Sequence, residues 1–461
     1  MKRTGGSIET VMKSNVKLIP LSFFAIIALG TLLLLLPVSA APGEHTGILT
    51  ALFTATTSVC VTGLVVVDTY AHWSLFGQTV ILFLMQIGGL GVVAVGSMIL
   101  LIGRKKFYLG DRKLLGDSLN IEKNRGLLRM LVRIFKGVAV VEAAGMVLLA
   151  TQFVPRFGWG RGLRISLFHT VSAFCNAGMD VIGPDSLEQY GSSGFVLVVT
   201  MVLIILGGIG FVVWFDILDA FRDGFRNRLN PNRIFLHFSE HSRLVLMMTA
   251  VLILGGALCV FVAEYGNPDT LGPMCLSDKI LNSFFQSVTF RTAGFSTVPQ
   301  EKLTGLSCMA GYALMFIGGS PVGTAGGIKT VTAFLFFMNA LSYIRGRKED
   351  VIFHRSVSPG QMRKASAIVL VSMMTVFVMT FALIASDALP LTDALYEVIS
   401  ALGTVGLSRS VTPHLGAWGR LIIICSMFLG RIGPISMALF FAKDKSLENR
   451  IEHAEGNFYV G

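Results

Sequence analysis

Four short segments of this chain each close on a glycine: Val61-Thr62-Gly63, Asn176-Ala177-Gly178, Thr292-Ala293-Gly294 and Thr404-Val405-Gly406. The glycines are spaced by 115, 116 and 112 residues (178−63, 294−178 and 406−294). An aromatic side chain, Phe53, Phe168, Phe284 or Tyr396, stands ten residues before each. Residues of this kind do their chemistry with the backbone. A cation filter strips the hydration shell and replaces it with rings of carbonyl oxygens from four loops. Glycine lets such a loop reach angles that a β-carbon forbids. A fourfold ring ordinarily needs four subunits; the spacing predicts that one chain supplies all four quarters.

The elements that must position these loops follow from composition. The chain is 53% hydrophobic and 14% charged, and its mean hydropathy is +0.70, outside the range of soluble domains. Apolar runs long enough to cross a bilayer, about 20 residues each, predict eight spans at 18–38, 79–102, 132–153, 195–218, 244–264, 307–338, 367–388 and 418–441. The first is too long for the apolar region of a signal peptide and has no clean small-residue cleavage site after it. Between the members of each pair runs a shorter stretch that ends in one of the four glycines. It dips into the membrane and returns, which irregular backbone does only where protein or a watery cavity surrounds it. The expected fold is therefore an all-α membrane protein. Its eight transmembrane helices form four parallel helix–pore loop–helix repeats with pseudo-fourfold symmetry around one ion pore. The repeats run 1–105 (filter 61–63), 106–222 (filter 176–178), 223–345 (filter 292–294) and 346–461 (filter 404–406).

Charge orients this arrangement. The net charge of +11 is concentrated: residues 104–136 hold ten Lys or Arg, 222–243 hold five and 345–364 hold six. Lys2, Arg3, Lys13 and Lys17 add to the same side of an eight-span chain. That side is cytoplasmic by the positive-inside rule, so both termini lie inside and the glycine loops enter from outside. Arg156, Arg161 and Arg164 dilute the signal without reversing it. The basic residues set topology and do not indicate nucleic acid. Six cysteines show no metal-ligand spacing and read as reduced packing residues. No soluble domain is visible, so a nucleotide-sensing module would be a separate chain.

Parallel repeats should carry matching second helices, and four runs do match: Ile87-Gly88-Gly89-Leu90-Gly91, Leu206-Gly207-Gly208-Ile209-Gly210, Ile317-Gly318-Gly319-Ser320-Pro321 and Leu429-Gly430-Arg431-Ile432-Gly433. Glycine pairs let membrane helices pack closely, and here they also widen the pore below the filter. The third copy departs. Gly318, Gly319, Ser320, Pro321, Gly323, Gly326, Gly327 and Lys329 predict a broken helix with a flexible loop inside the membrane. In the fourth copy Arg431 replaces a glycine, and a mid-span arginine is by default functional. A fixed positive charge there raises the barrier to a cation, by about 4 kcal/mol at ~4 Å and an effective dielectric near ~20. Loop and arginine together predict a gate.

The filter phrases TSVCVTGLVVVDT, SAFCNAGMDVIG, SVTFRTAGFSTV and SALGTVGLSRS, with GGSPVGTAGGIKT after the third, resemble the Trk/Ktr/HKT superfamily of potassium transporters over nearly the whole chain. Within it the chain is most similar to the KtrB branch of bacterial membrane subunits, because only 17 residues precede the first span. The resemblance implies potassium uptake across the bacterial plasma membrane, with no enzymatic activity and no organic cofactor. It implies a homodimer of pores on a cytoplasmic ring of nucleotide-binding regulatory subunits, with sodium as an activating ion. It also implies that the broken helix is the gate and that Arg431 faces it. Sodium-preferring plant relatives carry serine in the first loop; Gly63 here favours potassium, and a sodium-selective or sodium-coupled transporter is the nearest alternative.

Asp68 and Asp180 follow the first two filter glycines and would concentrate cations in an outer vestibule. Arg291 is expected behind the filter, paired with carbonyls or with an acid, Glu397 being the candidate. An intramembrane hydrolase built from Ser320, His169 and Asp180 has no nucleophile elbow and no need of four repeats. A rocking transporter would use broken helices too, but not four re-entrant loops.

Overall fold

The computed structural model describes residues 5–102, 115–116, 127–183, 186–226, 237–346 and 349–433. The basic stretches at 104–114 and 227–236, and everything from 434 onward, lie outside the described residues, as does the repeat boundary at 105/106. The described residues are mostly helical. Helices α1 (Gly5–Leu34), α2 (Ile48–Cys60), α3 (Thr69–His72), α4 (Leu75–Leu90) and α5 (Val92–Ile102) come first. Then follow α6 (Leu127–Cys175), α7 (Gly194–Gly208), α8 (Phe211–Arg226), α9 (Glu240–Glu264) and α10 (Leu276–Phe290). The last are α11 (Gly305–Phe316), α12 (Thr330–Ile344), α13 (Pro359–Asp387), α14 (Leu391–Gly403) and α15 (Ala417–Ile432). One two-stranded hairpin, Val351–Ile352 with Arg355–Ser356, precedes α13. The repeat boundary drawn at 222/223 falls inside α8.

Among the described residues, three helices are long and apolar enough to cross a membrane: α6, α9 and α13. Their outward faces stay apolar, with Val251, Leu258, Phe377 and Phe381 more than half exposed, because hydrocarbon rather than water is the solvent they suit. Helix α6 is really two. Gly158, at φ 77°, breaks the helical angles, and the part beyond it is a second helix ending at Cys175.

Two expected spans are bent rather than straight. The 79–102 run becomes α4 and α5 at 95°, and the 195–218 run becomes α7 and α8 at 100°. The hinges are Gly91 (φ 92°) and Gly210 (φ 96°), and Gly433 (φ 92°) ends α15 in the same conformation. Each lies three residues after the first glycine of its pair. Only the third copy was expected to break; a left-handed glycine also breaks the first and second, at the position where Pro321 stands in the third.

The first glycine of each pair does pack tightly. A side chain on Gly88, Gly207 or Gly430 would collide with the backbone oxygen of Val59, Phe174 or Leu402. Each of those residues lies four before one of the four repeated glycines, so the pairs press the second helix of a unit against the last turn of its own loop helix.

Candidate functional site

Helices α2, α6 and α14 end immediately before their glycine segments, and α10 ends one residue earlier, at Phe290. All four ends use one local design. The first residue of three trios, Val61 (φ 55°), Asn176 (φ 59°) and Thr404 (φ 51°), is left-handed, and so is Thr292 (φ 70°) in the third. Gly63, Gly178, Gly294 and Gly406 follow with φ of 98°, 65°, 85° and 95°. Left-handed angles at β-branched residues cost about 1–3 kcal/mol each and gather at functional sites. Reverse-turn bonds hold them: the N–H of Thr62, Ala177 and Val405 donates to the carbonyl of Thr57, Ser172 and Ser400, each at 2.8 Å.

Hydroxyls complete two of the loops. Gly63 N donates to Thr57 Oγ1 at 3.0 Å and Gly406 N to Ser400 Oγ at 3.1 Å. Both hydroxyls lie six residues before their glycine, a signal present in the sequence and unused above. In the third loop Thr289 Oγ1 donates to Phe295 O at 2.6 Å.

The four trios meet in a closed cycle. A β-carbon on Gly63 would strike Ala177 O, on Gly178 Ala293 O, on Gly294 Val405 O, and on Gly406 Thr62 O, none farther than 2.6 Å. Each glycine thus lies against the carbonyl that precedes the next glycine. Four helix C-termini converge there, and the negative end of a helix dipole favours a cation. Thr62, Ala177, Ala293 and Val405 are fully buried. Of the aromatics, Phe53 and Tyr396 are wholly buried, whereas Phe284 is only half-buried.

Residues 317–329 leave α11 and return to α12 without helix. The segment is not loose, as its glycines suggested. Ile317 and Ile328 bridge in parallel, Gly319 N donates to Gly326 O at 3.3 Å, and Thr330 N to Gly319 O at 3.0 Å. Ser320 N and Thr324 N donate to Gly208 O and Gly207 O, which are the carbonyls left free at the end of α7. Lys329 Nζ donates to Ala325 O at 2.6 Å. Thr324 Oγ1 donates to Phe174 O at 3.0 Å and lies 3.3 Å from the side-chain amide of Asn176. Gly326 lies so close to Gly403 and Thr404 that a side chain would not fit. The segment therefore touches the ends of the second and fourth loop helices directly.

Arg431 joins this layer from α15. Its Nη1 donates to Thr324 O at 2.6 Å and its Nη2 to Gly88 O and Gly89 O. One guanidinium so ties the broken segment to the end of α4. Arg291, buried and directly before the third trio, donates from Nη2 to Gly318 O at 3.4 Å. Glu397 is not its partner: that carboxylate accepts from Ser408 and Thr412.

Asp68 caps α3, accepting from Tyr70 N at 2.7 Å and Ala71 N at 2.8 Å. Asp180 accepts from Ile182 N at 3.3 Å. Burial pushes the Asp180 carboxyl up to about 6, Asp68 nearby pushing the same way and Ser186 and backbone N–H groups pulling down. Ser320, His169 and Asp180 do not assemble: Ser320 pairs with Thr330 and His169 with Thr200.

The family of TrkH cation transport proteins matches residues 2–450. The chain is 38% identical over 454 residues to the Ktr system potassium uptake protein B of Bacillus subtilis, covering 98% of each. It is 35% identical to the potassium/sodium uptake protein NtpJ of Enterococcus hirae, covering 96% of this chain and 95% of that one. The crystal structure of the potassium transporter TrkH from Vibrio parahaemolyticus superposes with a TM-score of 0.73 at 17% identity, over 93% of this chain and 85% of that one.

Proposed function

The chain belongs to the TrkH family of cation transport proteins, multi-pass membrane proteins and not enzymes, and from that premise we propose that it takes up potassium through the ring of four glycine trios. The observation that carries the reading is the closed cycle in which each filter glycine lies against the carbonyl preceding the next. A dehydrated cation on the axis of that cycle would exchange water for the carbonyls of Thr62, Ala177, Ala293 and Val405. The left-handed trio residues aim those carbonyls, and the buried hydroxyls of Thr57 and Ser400 keep two glycines from drifting. Gly63, rather than serine, in the first loop supports potassium over sodium.

In this reading the four repeats 1–105, 106–222, 223–345 and 346–461 surround one pore with pseudo-fourfold symmetry. Eight crossings, three of them bent or broken, put both termini in the cytoplasm. The gate is residues 318–329, within the non-helical segment, together with Arg431, seated just below the ring. A cation leaving the filter meets a guanidinium about as strongly as two like charges repel at partial burial, about 4 kcal/mol at ~4 Å. The hydrogen bonds to Gly207, Gly208, Gly88 and Gly89 hold the segment in one arrangement, and a regulator that favoured another would open it. Relatives named as parts of a Ktr system support a separate partner, in this reading a cytoplasmic nucleotide-binding ring under a homodimer. Dimerisation matches that ring and is not needed to complete a filter. Asp68 and Asp180 form the outer vestibule.

The test is potassium uptake in a transport-deficient host, with sodium as competitor, for the parent and for Gly63→Ser. A lower potassium-to-sodium ratio in the variant at equal membrane level supports the filter; an unchanged ratio in this and the other three serine variants removes it. For the gate, deletion of residues 324–327 should raise the maximal rate without changing potassium affinity, and an unchanged rate removes that part of the reading.

A further inference from the structure

Glu397 occupies an unusual position: a fully buried carboxylate on α14, the fourth loop helix, nine residues before Gly406. The same position in the other loops holds Thr54, His169 and Phe285, all buried and none acidic. Burying a carboxylate is costly unless hydrogen bonds compensate. Here both bonds fall on one oxygen. Ser408 Oγ and Thr412 Oγ1 donate to Oε1, the latter at 2.9 Å, while Oε2 has no partner among the described residues.

The donors identify what the carboxylate holds. Ser408 is the second residue after the filter glycine, and its Oγ also accepts from Val411 N at 3.2 Å and Thr412 N at 3.4 Å. Glu397 therefore fastens the strand that leaves the fourth trio onto the helix that enters it. The third loop has a different brace: Thr289 Oγ1 bonds to the carbonyl of Phe295, directly after Gly294.

We propose that Glu397 is a positioning residue for ion selection, bracing the fourth filter strand through Ser408 and Thr412 so that the Val405 carbonyl keeps its place in the ring. This rests on the filter reading above. The brace acts through acceptance at Oε1, so an amide, whose oxygen also accepts, replaces it, and a methyl group does not.

The test measures potassium uptake with sodium and rubidium as competitors for Glu397→Ala, Glu397→Gln, Ser408→Ala and Gly406→Ser, at matched membrane levels. Leaving a buried hydroxyl without its acceptor is worth a factor of about ten. Glu397→Ala and Ser408→Ala are expected to lower the potassium-to-sodium ratio by roughly that factor, with Glu397→Gln staying within about twofold of the parent. A merely structural role would lower the amount of protein and the maximal rate and leave the ratio alone. If Glu397→Ala does not reach the membrane, Ser408→Ala, which keeps the carboxylate, decides. An unchanged ratio in Ser408→Ala alongside a lowered one in Gly406→Ser overturns the brace and leaves the filter standing; an unchanged ratio in Gly406→Ser as well overturns the filter reading itself. A Glu397→Gln variant as unselective as Glu397→Ala also overturns the brace, since charge and not acceptance would then be at work.

Discussion

The ring of glycine trios and the layer directly beneath it are built on opposite plans. In the ring, four unrelated side-chain sets, Val-Thr, Asn-Ala, Thr-Ala and Thr-Val, adopt one backbone conformation of left-handed residue, linker and left-handed glycine. Beneath it, three units end a helix at Gly91, Gly210 and Gly433, while the third inserts the 317–329 segment and the fourth alone presents an arginine. A site made of carbonyls can be copied through duplication of the chain with little constraint on side chains. A site made of one charge and one movable segment works because it is not copied. In the proposed reading, selection belongs to the repeated layer and control to the single-copy layer.

The largest expected effect comes from breaking the repeated layer. Gly178→Ala or Gly294→Ala puts a methyl group against a ring carbonyl at a backbone angle alanine resists. The potassium-to-sodium uptake ratio should fall by tenfold or more, about 1.4 kcal/mol or above. Equal loss in the two variants would match a ring in which every quarter counts.

Arg431→Ala attacks the single-copy layer. It frees Thr324 O, Gly88 O and Gly89 O and removes the charge. The maximal uptake rate should rise several-fold with potassium affinity and selectivity held within about twofold, smaller than the energy of one well-placed bond. A change in selectivity as large as in the glycine variants would merge the two layers into one.

A smaller effect sharpens the boundary between them. Thr324 is the one segment residue whose side chain bonds to the end of the second loop helix, through Phe174 O and the Asn176 amide. Thr324→Val keeps the shape and removes both bonds, and should raise the rate by about twofold, in keeping with a net ~0.5–1.5 kcal/mol for a neutral hydrogen bond. Uptake assayed across external potassium concentrations separates rate from affinity.

The smallest effect lies outside the ring. With its carboxyl pushed up to about 6, Asp180 is charged above that pH and neutral below it. Its attraction for cations is therefore present at neutral external pH and lost as pH falls through about 6. Apparent potassium affinity should weaken modestly over that interval in the parent and not in Asp180→Asn. A parental profile retained in the variant would assign the titration elsewhere.

Much of the ring was legible because glycine at a fixed spacing, after an aromatic and an apolar helix, has few other uses in a membrane chain. The first left-handed residue of each trio was not, since Val61 and Thr404 are types that avoid that conformation and only tertiary packing imposes it. The hydroxyls of Thr57 and Ser400 carried a readable signal, six residues before a glycine. The bends at Gly91 and Gly210 were hidden by hydropathy: both flanks are apolar, so a window average reads one straight span. The proline and glycines of residues 318–329 predict a break, and the chain is non-helical over 317–329, but the order of that segment was not legible. Its bonds go to Gly207 and Gly208, more than a hundred residues away in sequence, and local composition says nothing of them. Arg291 meets a carbonyl, that of Gly318, as one of its two expected kinds of partner; the acid candidate Glu397 fails because Ser408 and Thr412 bond to it instead.

The central claim is that one cation site lies on the axis of the four carbonyls, and anomalous scattering from crystals grown in thallium, a potassium surrogate, tests it most directly. The expected result is a peak equidistant from the carbonyl oxygens of Thr62, Ala177, Ala293 and Val405, displaced by potassium and not by sodium. Anomalous density confined to other parts of the molecule, with none inside that ring, would contradict the account.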